Sequence, residues 1–237
     1  MERSKSFCYL PFDEIMEAIR LPKVKICCIQ TIAEARLAIA AGADWIGLVS
    51  EMPSGPGVIP DDRIRQIAGA VRGETTTVLL TSRREADGII EQARASGTDA
   101  LQLVDELSEE ELRRVRRALP GVRMLQVVHV VGEESIERAS AVAQLVDGVL
   151  LDSGDPRRAV KELGGTGRVH DWSLSRRIRE ALTIPVVLAG GLTPANARKA
   201  IALVRPYGLD VCSGVRTNAL LDPVKLRAFM HAVQTAS

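Results

Sequence analysis

Residues 23–42 read KVKICCIQTIAEARLAIAAG, and this stretch contains the structural unit from which the rest of the chain is built. Its first six residues, 23–28, form a short apolar run of the kind that makes a buried strand. Thr31 and Glu34 follow with the spacing of a capping box, which starts a helix, and Gly42 stands where such a helix would end. The stretch therefore predicts one strand followed by one helix.

The same unit recurs along the chain. The predicted strands are 23–28, 44–50, 77–82, 99–104, 123–130, 146–152, 184–189 and 208–213. The predicted helices are 31–42, 61–71, 84–95, one starting at a second capping box (Ser108 and Glu111), 134–145, 173–182, 193–204 and 222–233. Parallel strands need crossover helices, and eight such units close a sheet. We therefore predict an α/β fold, a single (β/α)8 TIM barrel over residues 23–237.

Two further features bear on the architecture. An open, doubly wound sheet would be expected to carry a G-x-G-x-x-G loop after its first strand, and the sequence has none there. Residues 1–22 precede the repeating pattern, and the apolar residues between Phe12 and Ile19 fit one helical face. We predict that residues 1–22 form a short N-terminal helical extension.

Charge and hydropathy limit the classes of partner. The net charge is +1, so there is no basic excess of the kind that binds nucleic acid. No apolar run reaches the roughly 18 residues needed to span a bilayer, and acidic residues occupy the place of a signal peptide's apolar core. The expected partner is a small molecule, with no nucleic acid and no membrane, and the expected location is cytoplasmic.

The cysteines and histidines give little support for a metal or a disulfide framework. Four cysteines in 237 residues are too few for a disulfide scaffold, and the adjacent pair Cys27 and Cys28 lacks the spacing of a metal site. The three histidines form no metal-binding spacing with each other or with carboxylates. The expectation is free thiols, no metal and no cofactor.

In a barrel of this type, the chemistry belongs at the carboxyl ends of the strands, where Cys27 and Asp152 fall. Side chains alternate along a strand, so Lys25 and Cys27 share one face while Ile26 and Cys28 share the other. The apolar face suits the helix layer, which predicts that Cys27, rather than Cys28, faces the barrel mouth. Taken alone, Asp152 is either a proton-transfer group or the cap of a turn. Cys27 taken alone is either a nucleophile or base, or a small buried apolar side chain.

Glycines close the last two predicted strands. Gly190 and Gly191 follow the seventh strand, and Ser213 and Gly214 follow the eighth. Many barrels bind phosphate between these two loops through backbone N–H groups and a helix N-terminus. Two such loops at adjacent strand ends predict a phosphate site.

Several motifs in register extend the argument to a family. They are Lys25-Ile26-Cys27, Gln102-Leu103, Leu150-Leu151-Asp152, Gly164-Gly165-Thr166-Gly167 with Asp171-Trp172, Ala189 to Pro194 and Asp210 to Val215. Together they resemble the phosphoribosylanthranilate isomerases of tryptophan biosynthesis, over roughly residues 23–235.

The resemblance implies an Amadori rearrangement, in which an N-(5-phosphoribosyl) aminoaldose becomes an aminoketose. It implies that Asp152 is the general acid and Cys27 the general base, without a cofactor. The implied phosphate-binding residues are Gly190, Gly191, Ser213 and Gly214. The implied substrate-binding residues are Lys25, Gln102, Gly165, Thr166, Gly167, Arg168 and Asp210. The expected partner is a small phosphorylated sugar, and the expected state is a monomer or homodimer.

The sequence also departs from the family pattern around the barrel mouth. Gly57 stands where the family has the arginine that clamps the anthranilate carboxylate, and Cys28 replaces a family glycine. Three hypotheses follow: the isomerase itself with another cation (Arg83, Arg84, Arg168 or Arg216) on the carboxylate; a related isomerase acting on a different N-glycoside; and a non-catalytic barrel that binds a phosphorylated ligand.

Overall fold

The computed structural model describes residues 21–154 and 169–236, and these contain a closed barrel of eight parallel strands. The strands are β1 (Lys23–Ile26), β2 (Trp45–Val49), β3 (Thr76–Thr81), β4 (Ala100–Leu103), β5 (Arg123–His129), β6 (Gly148–Asp152), β7 (Val186–Leu188) and β8 (Gly208–Val211). They are ordered in space as in sequence, and pairing of Ile26 with Val211 closes the barrel between β1 and β8. The predicted barrel fold is confirmed.

One helix follows each strand in the described residues. The helices are α1 (Ile32–Ala40), α2 (Asp61–Ala70), α3 (Ala86–Ser96), α4 (Glu109–Ala118), α5 (Glu134–Val142), α6 (Trp172–Ala181), α7 (Ala197–Val204) and α8 (Pro223–Gln234). A 3-10 turn (Ser213–Val215) and a two-stranded ribbon, β9 (Arg216–Thr217) with β10 (Leu220–Leu221), lie between β8 and α8. The helix predicted within residues 1–22 lies outside the described residues.

Local capping explains where these helices begin. Thr31 Oγ1 accepts a hydrogen bond from the Glu34 amide at 3.1 Å, and Ser108 Oγ accepts one from the Glu111 amide at 3.3 Å. The predicted start of the seventh helix at residue 193 was wrong. Asn196 Oδ1 instead accepts a hydrogen bond from the Thr193 amide at 2.8 Å, which stabilises a turn, and α7 begins only at Ala197.

Two apolar layers separate the barrel interior from the helix shell. Residues on one strand face, such as Leu79 and Leu101, belong to the large core between the strands and the helices. Residues on the other face, such as Val78, Leu80 and Val127, form a smaller cluster inside the barrel. This interior cluster reaches the carboxyl ends of β1 and β7, so it forms the floor of the barrel mouth.

Candidate active site

A cavity of about 670 Å³, including its open mouth, lies at the carboxyl ends of the strands. Cys27, Asp152 and Gln102 line it, together with loop residues that follow β2, β7 and β8. Its volume is within the usual range for small-molecule sites. The structure therefore brings the predicted acid and base into one cavity at the end of the barrel where chemistry was expected.

Beneath the cavity, the side chain of Lys25 is completely buried and makes three polar contacts. Its Nζ donates to Asp210 Oδ2 at 2.9 Å, to Gln102 Oε1 at 2.8 Å and to Cys27 Sγ at 3.4 Å. Gly47 of β2 leaves room for this cluster, since a Cβ there would lie 2.8 Å from Cys27 Sγ. Lys25 is not among the residues that line the cavity, so it reaches the mouth only through its partners.

These contacts alter the protonation of Lys25 and Cys27. Burial alone would lower the pKa of Lys25, but the charges of Asp210 and Cys27 outweigh it, so the pKa is raised and the amine stays charged. The pKa of Cys27 is lowered, first by a hydrogen bond from Cys28 and further by the nearby Lys25 ammonium, against the opposing effect of burial. Cys27 is therefore more readily deprotonated than an ordinary buried thiol.

Asp152 has the opposite shift. It ends β6, only 6% of the residue is exposed, and burial raises its pKa from 3.8 to about 6. The Ser153 amide donates to the carboxylate and offsets part of this rise. A carboxyl with this pKa is partly protonated near neutral pH, as a general acid must be.

The glycine loops after β7 and β8 are in direct contact with each other. A Cβ on Gly214 would lie 1.9 Å from the carbonyl oxygen of Leu192, so only glycine permits this approach. Gly190 and Gly191 both have positive φ, and within the described residues their amides donate to no protein acceptor. Gly190, Gly191 and Ser213 line the cavity. The two loops thus present free amides beside the predicted acid and base.

The predicted orientation of Cys28 was wrong. Strand β1 ends at Ile26, and Cys28 has a left-handed φ of +64°, so the strand alternation does not extend to it. Cys28 lines the cavity beside Cys27, and its Sγ lies 2.6 Å from the Sγ of Cys212, which follows β8. The only sequence signal for this turn was the glycine that the family has at the same position.

The candidate carboxylate-binding arginines are distributed as follows. Arg216 is buried against Glu34 at 3.0 Å and donates to the Cys28 carbonyl, so it braces the β1–α1 loop. Arg83 and Arg84 donate to the carbonyls of Gly88 and Glu106. No lysine or arginine is among the described residues that line the cavity. Arg168 lies outside the described residues, as do Gly165, Thr166 and Gly167.

The fold and the site define a (β/α)8 barrel whose mouth holds a carboxyl with a raised pKa and a thiol with a lowered pKa. Comparison with known proteins gives the family. The family model described as N-(5'-phosphoribosyl)anthranilate (PRA) isomerase matches residues 24–232. The chain belongs to this family.

Individual relatives of the chain carry the same family name. The chain is 37% identical to the N-(5'-phosphoribosyl)anthranilate isomerase of Methanothrix thermoacetophila, with 91% of this chain and 99% of the relative covered. It is 37% identical to that of Haloferax volcanii, covering 91% and 95%. Among solved structures, the Thermotoga maritima phosphoribosyl anthranilate isomerase has a TM-score of 0.78 at 29% identity, covering 90% of this chain and 98% of that one.

Two features are absent from the described ranges. No helix there has the length and apolar character needed to cross a bilayer. No group of three or more histidine, cysteine, aspartate or glutamate side chains in the same ranges is arranged to hold a metal ion.

Proposed function

We propose that this protein isomerises N-(5'-phosphoribosyl)anthranilate to the corresponding 1-deoxyribulose 5-phosphate by acid/base catalysis. The single observation that carries the proposal is the pairing, in one cavity, of a carboxyl with a raised pKa and a thiol with a lowered pKa. A phosphoribosyl anthranilate isomerase with a TM-score of 0.75 to this chain was solved in complex with reduced 1-(o-carboxyphenylamino)-1-deoxyribulose 5-phosphate.

The reaction needs two proton transfers. Asp152 protonates the ribose ring oxygen, the ring carbon–oxygen bond breaks, and the amine lone pair forms a Schiff base. Cys27 then removes the proton from carbon 2, which gives an enaminol that tautomerises to the aminoketose. Protons and electron pairs move within one substrate, so the acid and base suffice.

Lys25 acts as a positioning residue in this scheme. Its Nζ contacts the Cys27 sulfur, and burial places its charge where solvent screens it little. Asp210 has a second role, because its Oδ1 is buried without a described partner while the residue lines the cavity. We propose that Oδ1 accepts a hydrogen bond from a sugar hydroxyl, with Gln102 beside it.

The phosphate lies against the loops after β7 and β8. The free amides of Gly190 and Gly191, with Ser213 and the Gly214 turn, supply neutral donors for an anion. Of the implied substrate-binding residues, Arg168, Gly165, Thr166 and Gly167 remain proposals from the family motif. A monomer or homodimer in the cytoplasm likewise remains a proposal. The related Thermotoga maritima isomerase is dimeric, and monomers have been generated from it.

One observation favours a second candidate, an isomerase for a different N-glycoside. No cation lines the described cavity to bind an anthranilate carboxylate. The test compares kcat/KM for N-(5-phosphoribosyl)anthranilate with kcat/KM for the N-(5-phosphoribosyl)aniline that lacks the carboxylate. A charge-assisted contact predicts a preference of about ten- to a hundredfold for the anthranilate compound, reduced by Arg168→Ala.

The outcomes separate the candidates. Turnover of the anthranilate compound with that preference supports the proposed function. Equal turnover of both compounds supports the second candidate, because it shows that the enzyme does not recognise the anthranilate carboxylate. No turnover of either compound by folded protein contradicts the proposed function. The isomerase for a different N-glycoside and the non-catalytic binding barrel are then the surviving hypotheses.

A further inference from the structure

Besides Cys27, the barrel mouth contains two thiols, Cys28 and Cys212, that the proposed reaction does not use as acid or base. Cys28 Sγ and Cys212 Sγ are 2.6 Å apart, compared with about 2.05 Å for a disulfide bond. Their approach follows from the fold: β1 and β8 are paired, with Ile26 opposite Val211, and the ladder continues as the Cys27 amide donates to the Val211 carbonyl at 2.9 Å. Cys212 is thus the next residue on the neighbouring strand.

The backbone of Cys28 completes this arrangement. Its left-handed φ turns the side chain away from the helix layer and into the mouth, toward Cys212. A non-glycine residue seldom adopts this conformation, so its side chain is held by its surroundings rather than by preference. In the β1–β8 register Cys212 comes opposite Cys27, and the left-handed turn at Cys28 then brings the Cys28 sulfur to 2.6 Å from that of Cys212.

We propose that Cys28 and Cys212 form a reversible disulfide across the barrel mouth, with a peroxide or a small-molecule disulfide as the oxidant. This proposal goes beyond the isomerase function, because bond formation needs only the two thiols and the oxidant. Both side chains line the open cavity, and Cys212 is the more exposed of the two. A small oxidant can therefore reach the pair from solvent.

With hydrogen peroxide, the chemistry takes two steps. The Cys212 thiol releases its proton and its sulfur attacks one peroxide oxygen. The O–O bond breaks, a sulfenic acid forms, and the leaving hydroxide takes up the released proton as the first water. The Cys28 sulfur then attacks the sulfenic sulfur, the S–O bond breaks, and the hydroxyl leaves with the Cys28 proton as a second water. Two thiols are oxidised to one disulfide, and one peroxide is reduced to two waters.

The disulfide alters the neighbouring Cys27. In the reduced protein, hydrogen bonding to Cys212 and Cys27, together with burial, raises the pKa of Cys28 well above its usual range, so Cys28 stays a protonated donor. Its hydrogen bond is the main reason why the pKa of Cys27 is lowered. Oxidation removes the Cys28 proton and with it this hydrogen bond. The pKa of Cys27 should therefore rise, and a smaller fraction of Cys27 should be deprotonated and able to react with an alkylating reagent.

The test uses the full-length protein with Cys8→Ser, which leaves three of the four cysteines. The protein is treated with hydrogen peroxide or oxidised glutathione, unreacted thiols are alkylated, and digested peptides are analysed by mass spectrometry. We expect a Cys28–Cys212 cross-linked peptide, one remaining thiol at Cys27, and reversal by dithiothreitol. In a Cys27→Ala protein the same cross-link should form, and in Cys28→Ser and in Cys212→Ser it should be absent.

Alkylation of Cys27 by iodoacetamide provides a readout that needs no substrate. Its rate at pH 7 should fall about tenfold for each unit by which the pKa rises on oxidation. A cross-link from Cys27 to either neighbour, or oxidation confined to Cys27 while Cys28 and Cys212 stay reduced, would overturn the proposal. Circular dichroism of Cys28→Ser and of Cys212→Ser checks that each variant is folded.

Discussion

Lys25 Nζ and Cys27 Sγ lie 3.4 Å apart at the carboxyl end of β1, and the ammonium also donates to Asp210 and Gln102. A buried cation thus supports the thiol from below, while the opposite side of the thiol faces the cavity. Through this contact a buried lysine in the barrel interior helps to lower the pKa of the thiol at the barrel mouth.

Removing the cation should affect both stability and the thiol. Lys25→Met leaves the buried Asp210 without its charged partner, which typically costs roughly 3 to 5 kcal/mol of unfolding free energy. Adding Asp210→Asn should restore much of that loss. The pKa of Cys27, lowered first by Cys28 and then by Lys25, should rise in Lys25→Met, as measured by alkylation rate against pH. An unchanged thiol titration would show that Lys25 has only a structural role.

Asp152 should destabilise the folded protein at neutral pH. Burial raises its pKa from 3.8 to about 6, so the folded state favours the protonated form, and stability is lost as pH rises through about 6. A rise of about 2 units corresponds to roughly 3 kcal/mol. Asp152→Asn should therefore be more stable than the wild type at pH 7.5 by up to that amount, and equally stable near pH 3, below the ordinary pKa of 3.8. Urea unfolding at both pH values measures this, and a pH-independent difference would contradict it.

The backbone at Gly57 does not accommodate the arginine that the family has at this position. Its φ is +80°, and a Cβ there would lie 2.4 Å from Cys28 Cβ and 2.9 Å from Cys28 Cα. Gly57→Arg is therefore not expected to improve substrate binding on this backbone. Gly57→Ala should lower stability by about 1 to 3 kcal/mol, and less in a Cys28→Gly background. Gly69→Ala, at a helical glycine with open space, is the matched control and should not destabilise.

The loop contact at Gly214 gives a test of the phosphate site. Gly214→Ala places a methyl group against the Leu192 carbonyl, which forces the loops after β7 and β8 apart. Inorganic phosphate should bind at least about tenfold more weakly, as measured by calorimetry or as a competitive inhibition constant. Gly121→Ala, where a Cβ meets nothing within 4 Å, is the control. Unchanged phosphate binding in a folded Gly214→Ala protein would place the anion elsewhere.

The periodic pattern predicted the barrel because each strand and helix has a local signal, and barrel geometry then placed Cys27 and Asp152 at the mouth. Three features depended on tertiary context. Cys28 adopts a conformation that strand alternation does not describe. Lys25, expected from the resemblance to bind substrate, is covered by its neighbours in the barrel interior. The turn at Asn196 displaced the start of α7, because a side-chain hydrogen bond there competes with helix formation.

The most direct test of the central claim is the turnover of N-(5-phosphoribosyl)anthranilate by Cys27→Ala and Asp152→Asn. Each removes one proton-transfer group, so kcat should fall by about a hundredfold or more in each. Asp62→Asn, the same change at an exposed position of α2, should keep wild-type kcat. Cys28→Ala should lose less than Cys27→Ala, because it removes a donor to the base rather than the base. Wild-type kcat in either Cys27→Ala or Asp152→Asn would contradict the assignment of base and acid.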